Sequence, residues 1–159
     1  MGIEIERKFL VHRKLWKPQG EGVRIAQGYL STDPERTVRV RVKGSKGYLT
    51  VKGRNEGISR EEFEYEIPLE DAEAMLALCE PSIIEKQRYL EEVVGHVWEI
   101  DVFAGENEGL VLAEIELGHE TEGFAMPEWL GDEVSGDKRY YNASLAGHPY
   151  REWGTVHTA

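Results

Sequence analysis

Cysteine is nearly absent: Cys79 is the only one in 159 residues. Disulfides within the chain and cysteine-based zinc sites are thereby excluded, which fits a reducing compartment. The thiol is expected to be inert packing on a helix. No apolar run approaches the roughly 20 residues of a membrane span. No basic stretch followed by an apolar one opens the chain, so a signal peptide is not expected. Positive charge is in the minority: 19 Lys and Arg against 30 Asp and Glu give a formal net charge of −11. That balance argues against loose adhesion to nucleic acid or to an anionic membrane, while leaving room for a local basic site. The expectation is a cytoplasmic protein with neither nucleic-acid nor membrane partners. With 40% hydrophobic and 31% charged residues the chain reads as globular, and its length suits one domain.

What is abundant is alternation. Period-2 segments run over 3–11, 23–30, 37–44, 47–53, 59–68, 83–90, 96–103 and 110–118, each bounded by turn residues. About eight antiparallel strands suit a small closed barrel. "KGSKG" and "FAGENEG" read as hairpin connections. Two stretches read as helical. In "LEDAEAMLALCEP" the residues Ala72, Met75, Leu76 and Cys79 share a face, and Pro81 stops the pattern. After Pro127, "PEWLGDEVSGDKRYYNASLAG" reads as a short helix and then a longer one, starting near 135–137 and ending at Gly147. The architecture expected is therefore mainly β with a few flanking helices.

Splitting each strand by face sorts the charges. Arg39, Arg41 and Lys43 oppose Val38, Val40 and Val42, and Lys52 lies with Tyr48 and Thr50. Glu62, Glu64 and Glu66 oppose Phe63, Tyr65 and Ile67. Glu99 and Asp101 oppose Trp98, Ile100 and Val102, while Glu114 and Glu116 oppose Ala113, Ile115 and Leu117. Lys86 and Arg88 share a face, as do Gln27 and Tyr29. Only the first strand mixes signs, with Glu4, Glu6 and Lys8 two residues apart.

A solvated sheet face usually mixes signs, because like charges repel across strands. Three basic and three acidic strands instead point to ligands that neutralise each set. Arg and Lys rows suit a polyanion, and Glu and Asp rows suit a hard divalent cation. A metal–polyphosphate complex satisfies both. In a closed barrel the charged faces would line the lumen, and the apolar faces would need cover from the helical segments or a second copy of the chain, as in a homodimer.

The five histidines show no ligand spacing, and the four tryptophans read as packing. "GSKG" lacks the pattern of a phosphate loop.

Glu4-Ile5-Glu6-Arg7-Lys8 resembles the ExExK signature of the CYTH superfamily, the triphosphate tunnel metalloenzymes. "RVRVKG", "TVKG", "REEFEYEIP", "KQRY", "WEIDVF", "LAEIEL" and "DKRYYN" resemble its later elements in order. The likeness spans nearly the whole chain, as one domain over residues 1–159. It implies an eight-stranded antiparallel tunnel, dependence on Mg²⁺ or Mn²⁺, and action on a small-molecule triphosphate. By position, Glu4, Glu6, Glu62, Glu64, Asp101, Glu114 and Glu116 resemble the metal-site carboxylates. Lys8, Arg39, Arg41, Lys52, Lys86 and Arg88 resemble the phosphate-binding set, and Lys138 or Arg139 would close the tunnel. Lys8, Glu4, Glu6 and Arg41 are expected to carry the chemistry, with Glu66 and Glu99 at the mouth. The family includes inorganic and thiamine triphosphatases, class IV adenylyl cyclases and RNA triphosphatases. Short loops without a base-binding insertion favour inorganic triphosphate. The alternatives are a class IV cyclase, a thiamine triphosphatase or a non-catalytic polyphosphate-binding module.

Overall fold

The structure, a computed structural model, describes residues 2–157, with backbone alone over 154–157. Its strands are β1 (Gly2–Val11), β2 (Val23–Ser31), β3 (Thr37–Lys43), β4 (Lys46–Lys52), β5 (Ser59–Ile67), β6 (Ile84–Val93), β7 (His96–Phe103), β8 (Val111–Glu116) and β9 (Leu130–Glu133). Among the described residues three α-helices accompany them: α1 (Leu69–Leu76), α2 (Asn142–Gly147) and α3 (Tyr150–His157). The sheet runs β5-β4-β3-β2-β6-β7-β8-β1-β9, and a further β5–β1 pairing closes the first eight of these positions into a barrel. All of these neighbouring pairs are antiparallel, and short hairpins join those that follow one another in the chain.

The valine face of β3 is buried from outside. Val40 and Val42 pack against Ala72 of α1, with Leu49 and Ile67 beside them. The helix sits this close because β4 offers Gly47, where a Cβ would lie 2.5 Å from that of Ala72. The helix ends at Leu76, before Pro81, because the chain must return to the barrel: Glu80 N donates to the Tyr29 carbonyl. Cys79 thus lies beyond the helix, packed against the same cluster.

The outer face of β1, β7 and β8 is covered without helices. Trp16, Phe124 and Trp129, from connecting segments, pack on Phe9, Trp98, Ile100, Ala113 and Ile115. Glu91 on β6 pins both segments, accepting from Trp16 Nε1 at 3.1 Å and Trp129 Nε1 at 2.9 Å. The expected short helix after Pro127 is instead β9, which pairs with Phe9 and Val11 of β1. β1 is ten residues long and its first half pairs with β5, so its far end has an open edge that β9 fills.

One end of the lumen is closed. By register Leu10, Tyr29, Ile84, Phe103 and Leu112 point inward, and all join an apolar cluster with Tyr140, Leu145, Ala146 and Trp153. The C-terminal segment therefore stoppers the barrel rather than shielding its side.

Candidate active site

Five cations are buried in the lumen: Lys8, Arg39, Arg41, Lys86 and Arg88. Among the described residues only two lumen carboxylates, Asp101 and Glu114, are buried as deeply. Burying charge without partners is prohibitive, so the partners of each cation define the site.

Asp101 is the hub of one cluster. Arg88 grips it in a fork, Nε to Oδ1 at 2.8 Å and a terminal nitrogen to Oδ2 at 2.9 Å. Lys86 Nζ lies 2.8 Å from Oδ2. Burial opposes the Asp101 charge, but Lys86 and Arg88 overcome it and hold the carboxyl down to about 2. Lys86 fares differently. Burial pushes it down, Asp101 resists, and the neighbouring Arg88 and Arg41 add to the fall, leaving it at about 7. Its ammonium also donates to Asn142 Oδ1 at 3.0 Å. Arg41 is pushed down by burial and then by Arg39 and Arg88, to about 9, and so stays charged at neutral pH. Its Nε donates to Gln27 Oε1 at 2.8 Å.

Arg39 donates to Thr50 Oγ1 and Glu64, both at 3.2 Å, and Thr50 in turn donates to Glu64 at 2.9 Å. Among the described residues Arg39 Nε has no partner although it is buried. A buried donor of this kind calls for an acceptor that the protein does not itself supply.

The carboxylates of β1, β5 and β8 form the opposite wall. Glu6 is pushed well up by burial, then by Glu114, with which it hydrogen-bonds, and by Glu4. Glu114 is itself opposed by burial, yet Lys8 and the Glu6 hydrogen bond hold it well below the usual range. The Lys8 amine stands 4.0 Å from Glu114 and donates to the Tyr140 carbonyl at 3.1 Å. Burial opposes its charge too, but Glu114 and Glu6 outweigh it and raise the ammonium. Glu116 is pushed up by burial, then by Glu4, Glu62 and Glu99. Lys52 is the cation within this wall, 3.1 Å from Glu4 and 3.3 Å from Glu62.

These oxygens are the donor type a hard divalent cation takes, and their crowding is what such an ion relieves. Among the described residues no three of them are already gathered as a metal-holding group. Glu4, Glu6, Glu62, Glu64, Glu114 and Glu116 fit the donor chemistry, although Glu4 and Glu62 share Lys52 and Glu64 is paired with Arg39. Asp101 is fully buried and taken up by both Arg88 and Lys86.

At the mouth, Glu66 is exposed with Lys46 4.0 Å away, and Glu99 lies 3.3 Å from Arg88. Lys138 and Arg139 are exposed, and Arg139 is spent on Asp137 at 2.7 Å. The closing turn reaches the lumen through the Tyr140 carbonyl and Asn142 instead. Sequence reasoning also passed over Arg60, which has lumen parity opposite Glu4 and donates to the Gly53 carbonyl and Thr37 Oγ1. Its position two residues before Glu62 was the available signal.

The chain is similar to known proteins over most of its length. Residues 2–146 match the CYTH domain. A protein of Acetivibrio thermocellus named inorganic triphosphatase is 52% identical over 96% of this chain and 99% of its own. One of Nitrosomonas europaea with the same name is 40% identical over 90% of this chain and 96% of its own. A solved structure of an inorganic triphosphatase, 38% identical, superposes with a TM-score of 0.64 over 89% of this chain and 96% of its own. The chain is a member of the CYTH domain family.

Proposed function

We propose that this protein is a divalent-metal-dependent inorganic triphosphatase, cleaving the terminal phosphoanhydride of tripolyphosphate to give pyrophosphate and orthophosphate. The observation that carries the reading is the surplus of buried cations, Lys8, Arg39, Arg41, Lys86 and Arg88 against Asp101 and Glu114. A polyanion supplies the missing negative charge, and guanidinium forks match phosphate oxygens. The two relatives named inorganic triphosphatase support the same substrate.

In this reading Arg39, Arg41 and Arg88 bind and orient the phosphate chain, and Arg39 Nε gains its acceptor. Lys8 and Lys86, fixed by the Tyr140 carbonyl and Asn142, place positive charge on the phosphoryl oxygens as negative charge develops there. The apolar stopper excludes water from the closed end, which strengthens these contacts. Glu4, Glu6, Glu62, Glu64, Glu114 and Glu116 would hold Mg²⁺ or Mn²⁺. Such an ion, when bound, neutralises phosphate oxygens and lowers the barrier to attack by water.

The test is phosphate release from tripolyphosphate, with Mg²⁺ or Mn²⁺ and with excess chelator. The expected result is turnover that chelation abolishes and either metal restores, with equal pyrophosphate and orthophosphate. Full turnover in chelator would remove the metal. A cyclic nucleotide formed from ATP would replace the hydrolase with a cyclase.

A further inference from the structure

The turn that enters α2 reaches the two buried lumen lysines, Lys8 and Lys86. The Tyr140 carbonyl accepts from Lys8 Nζ at 3.1 Å, and Asn142 Oδ1 accepts from Lys86 Nζ at 3.0 Å. The same Asn142 oxygen accepts from Gln27 Nε2 at 3.3 Å, while Gln27 Oε1 accepts from Arg41 Nε at 2.8 Å. Gln27 is wholly buried and also donates to Tyr29 Oη at 3.1 Å. Its amide orientation is thereby fixed, because a flip would turn its NH₂ group against the Arg41 guanidinium. One carboxamide oxygen, delivered from outside the barrel, thus links Lys86 on β6 to Arg41 on β3. Long side chains lose much rotamer freedom when they bind, and partners that hold them beforehand lessen that loss.

We infer that Asn142 is a positioning residue of the phosphate site, holding Lys86 directly and Arg41 through Gln27 in the arrangement that receives a triphosphate. This deepens the proposed function and rests on its phosphate-binding part. A residue that only anchored α2 would affect melting and leave affinity alone.

The experiment is calorimetric titration of tripolyphosphate into the metal-free protein, with melting temperatures recorded in parallel. Asn142→Ala is expected to weaken binding roughly tenfold, the scale of a lost hydrogen bond to a charged group. Asn142→Ser, whose hydroxyl keeps one acceptor, should recover part of that loss. Gln27→Ala should weaken binding as well, and the double variant should stay within about twofold of Asn142→Ala, because the two residues form one chain. Unchanged affinity in a folded Asn142→Ala protein would overturn the inference. Multiplied losses in the double variant would overturn the link to Arg41. If Asn142→Ala does not fold, the serine and Gln27 variants decide, and unchanged affinity in both would overturn it. Binding without turnover would sink the hydrolase reading while supporting this one. Absence of binding by the unaltered protein would overturn both.

Discussion

The two sides of the lumen handle charge in opposite ways. Around Asp101, each charge already has its partner: Arg88 forks onto the carboxylate and Lys86 completes it. On the β1–β5–β8 side, carboxylates press on one another, and Lys52 is the cation between Glu4 and Glu62. The first cluster is held by its own ion pairs, the pre-arrangement that the proposed phosphate cradle needs to align its donors. The second is short of positive charge, which is the condition that recruits a cation. The Asp101 cluster is paired within itself, and the other wall carries the charge that the proposed metal would offset.

The comparison breaks most visibly at Asp101. Asp101→Asn leaves Lys86 and Arg88 buried without their counter-charge, and should cost about 3–5 kcal/mol in equilibrium denaturation. A cost near zero would mean that the cluster is not the fixed wall. Val40→Asp, fully buried on the outer side beneath α1, should cost at least about 3 kcal/mol while adding nothing to the lumen. A harmless Val40→Asp would invalidate the assignment of faces.

Acid should attack the Asp101 cluster. The Asp101 carboxyl is held at about 2, against 3.8 for the free group. A depressed folded-state value means that its contribution is present above pH 3.8 and is lost as the pH falls through about 2. The shift corresponds to about 2 kcal/mol. Denaturation midpoints between pH 5 and pH 2 should fall in the unaltered protein, and this part of the fall should vanish in Asp101→Asn. An identical acid profile in the two proteins would contradict the assignment.

Smaller effects sharpen the contrast. Arg39→Ala and Arg41→Ala should each lose at least tenfold in kcat/KM for tripolyphosphate, about 1.4 kcal/mol, with the fold retained. ATP should be a poorer substrate than tripolyphosphate, because the lumen contacts are charge-based. Pyrophosphate should be poor as well, being too short to span the cations. Smallest of all, Glu116→Gln relieves repulsion from Glu4, Glu62 and Glu99. At this exposed position it should stabilise the metal-free protein by only a few tenths of a kcal/mol, and the sign should reverse when Mn²⁺ is added. A loss of stability without metal would mean that this wall is not crowded.

Much of this was legible from alternation alone. The parity that sets Arg39 and Arg41 against Val40 and Val42 follows from the two-residue period of a strand, and the structure keeps it. Parity says which face a residue takes and nothing about its depth along the barrel. Hence Ile84, Phe103 and Leu112, inward-facing yet apolar, gave no sign of the stopper they form. β9 was hidden for another reason. "LGDE" is four residues without alternation, and its pairing depends on the open edge of β1 rather than on its own pattern. Lys138 carries the charge that drew notice in the closing turn, yet Tyr140 contributes through its carbonyl, which any residue has, and Asn142 through a neutral amide. Contacts made by backbone and uncharged groups leave little trace in composition or spacing.

The division of labour between the two walls is tested most directly by a pair of titrations on Glu4→Gln and Arg41→Ala. For each, the metal concentration for half-maximal turnover and the KM for tripolyphosphate are measured with Mg²⁺ and with Mn²⁺. Glu4→Gln is predicted to raise the metal requirement at least tenfold with a smaller change in KM. Arg41→Ala is predicted to raise KM or lower kcat by that factor and leave the metal requirement where it was. Equal shifts of both quantities in both variants would contradict a lumen divided into a phosphate wall and a metal wall.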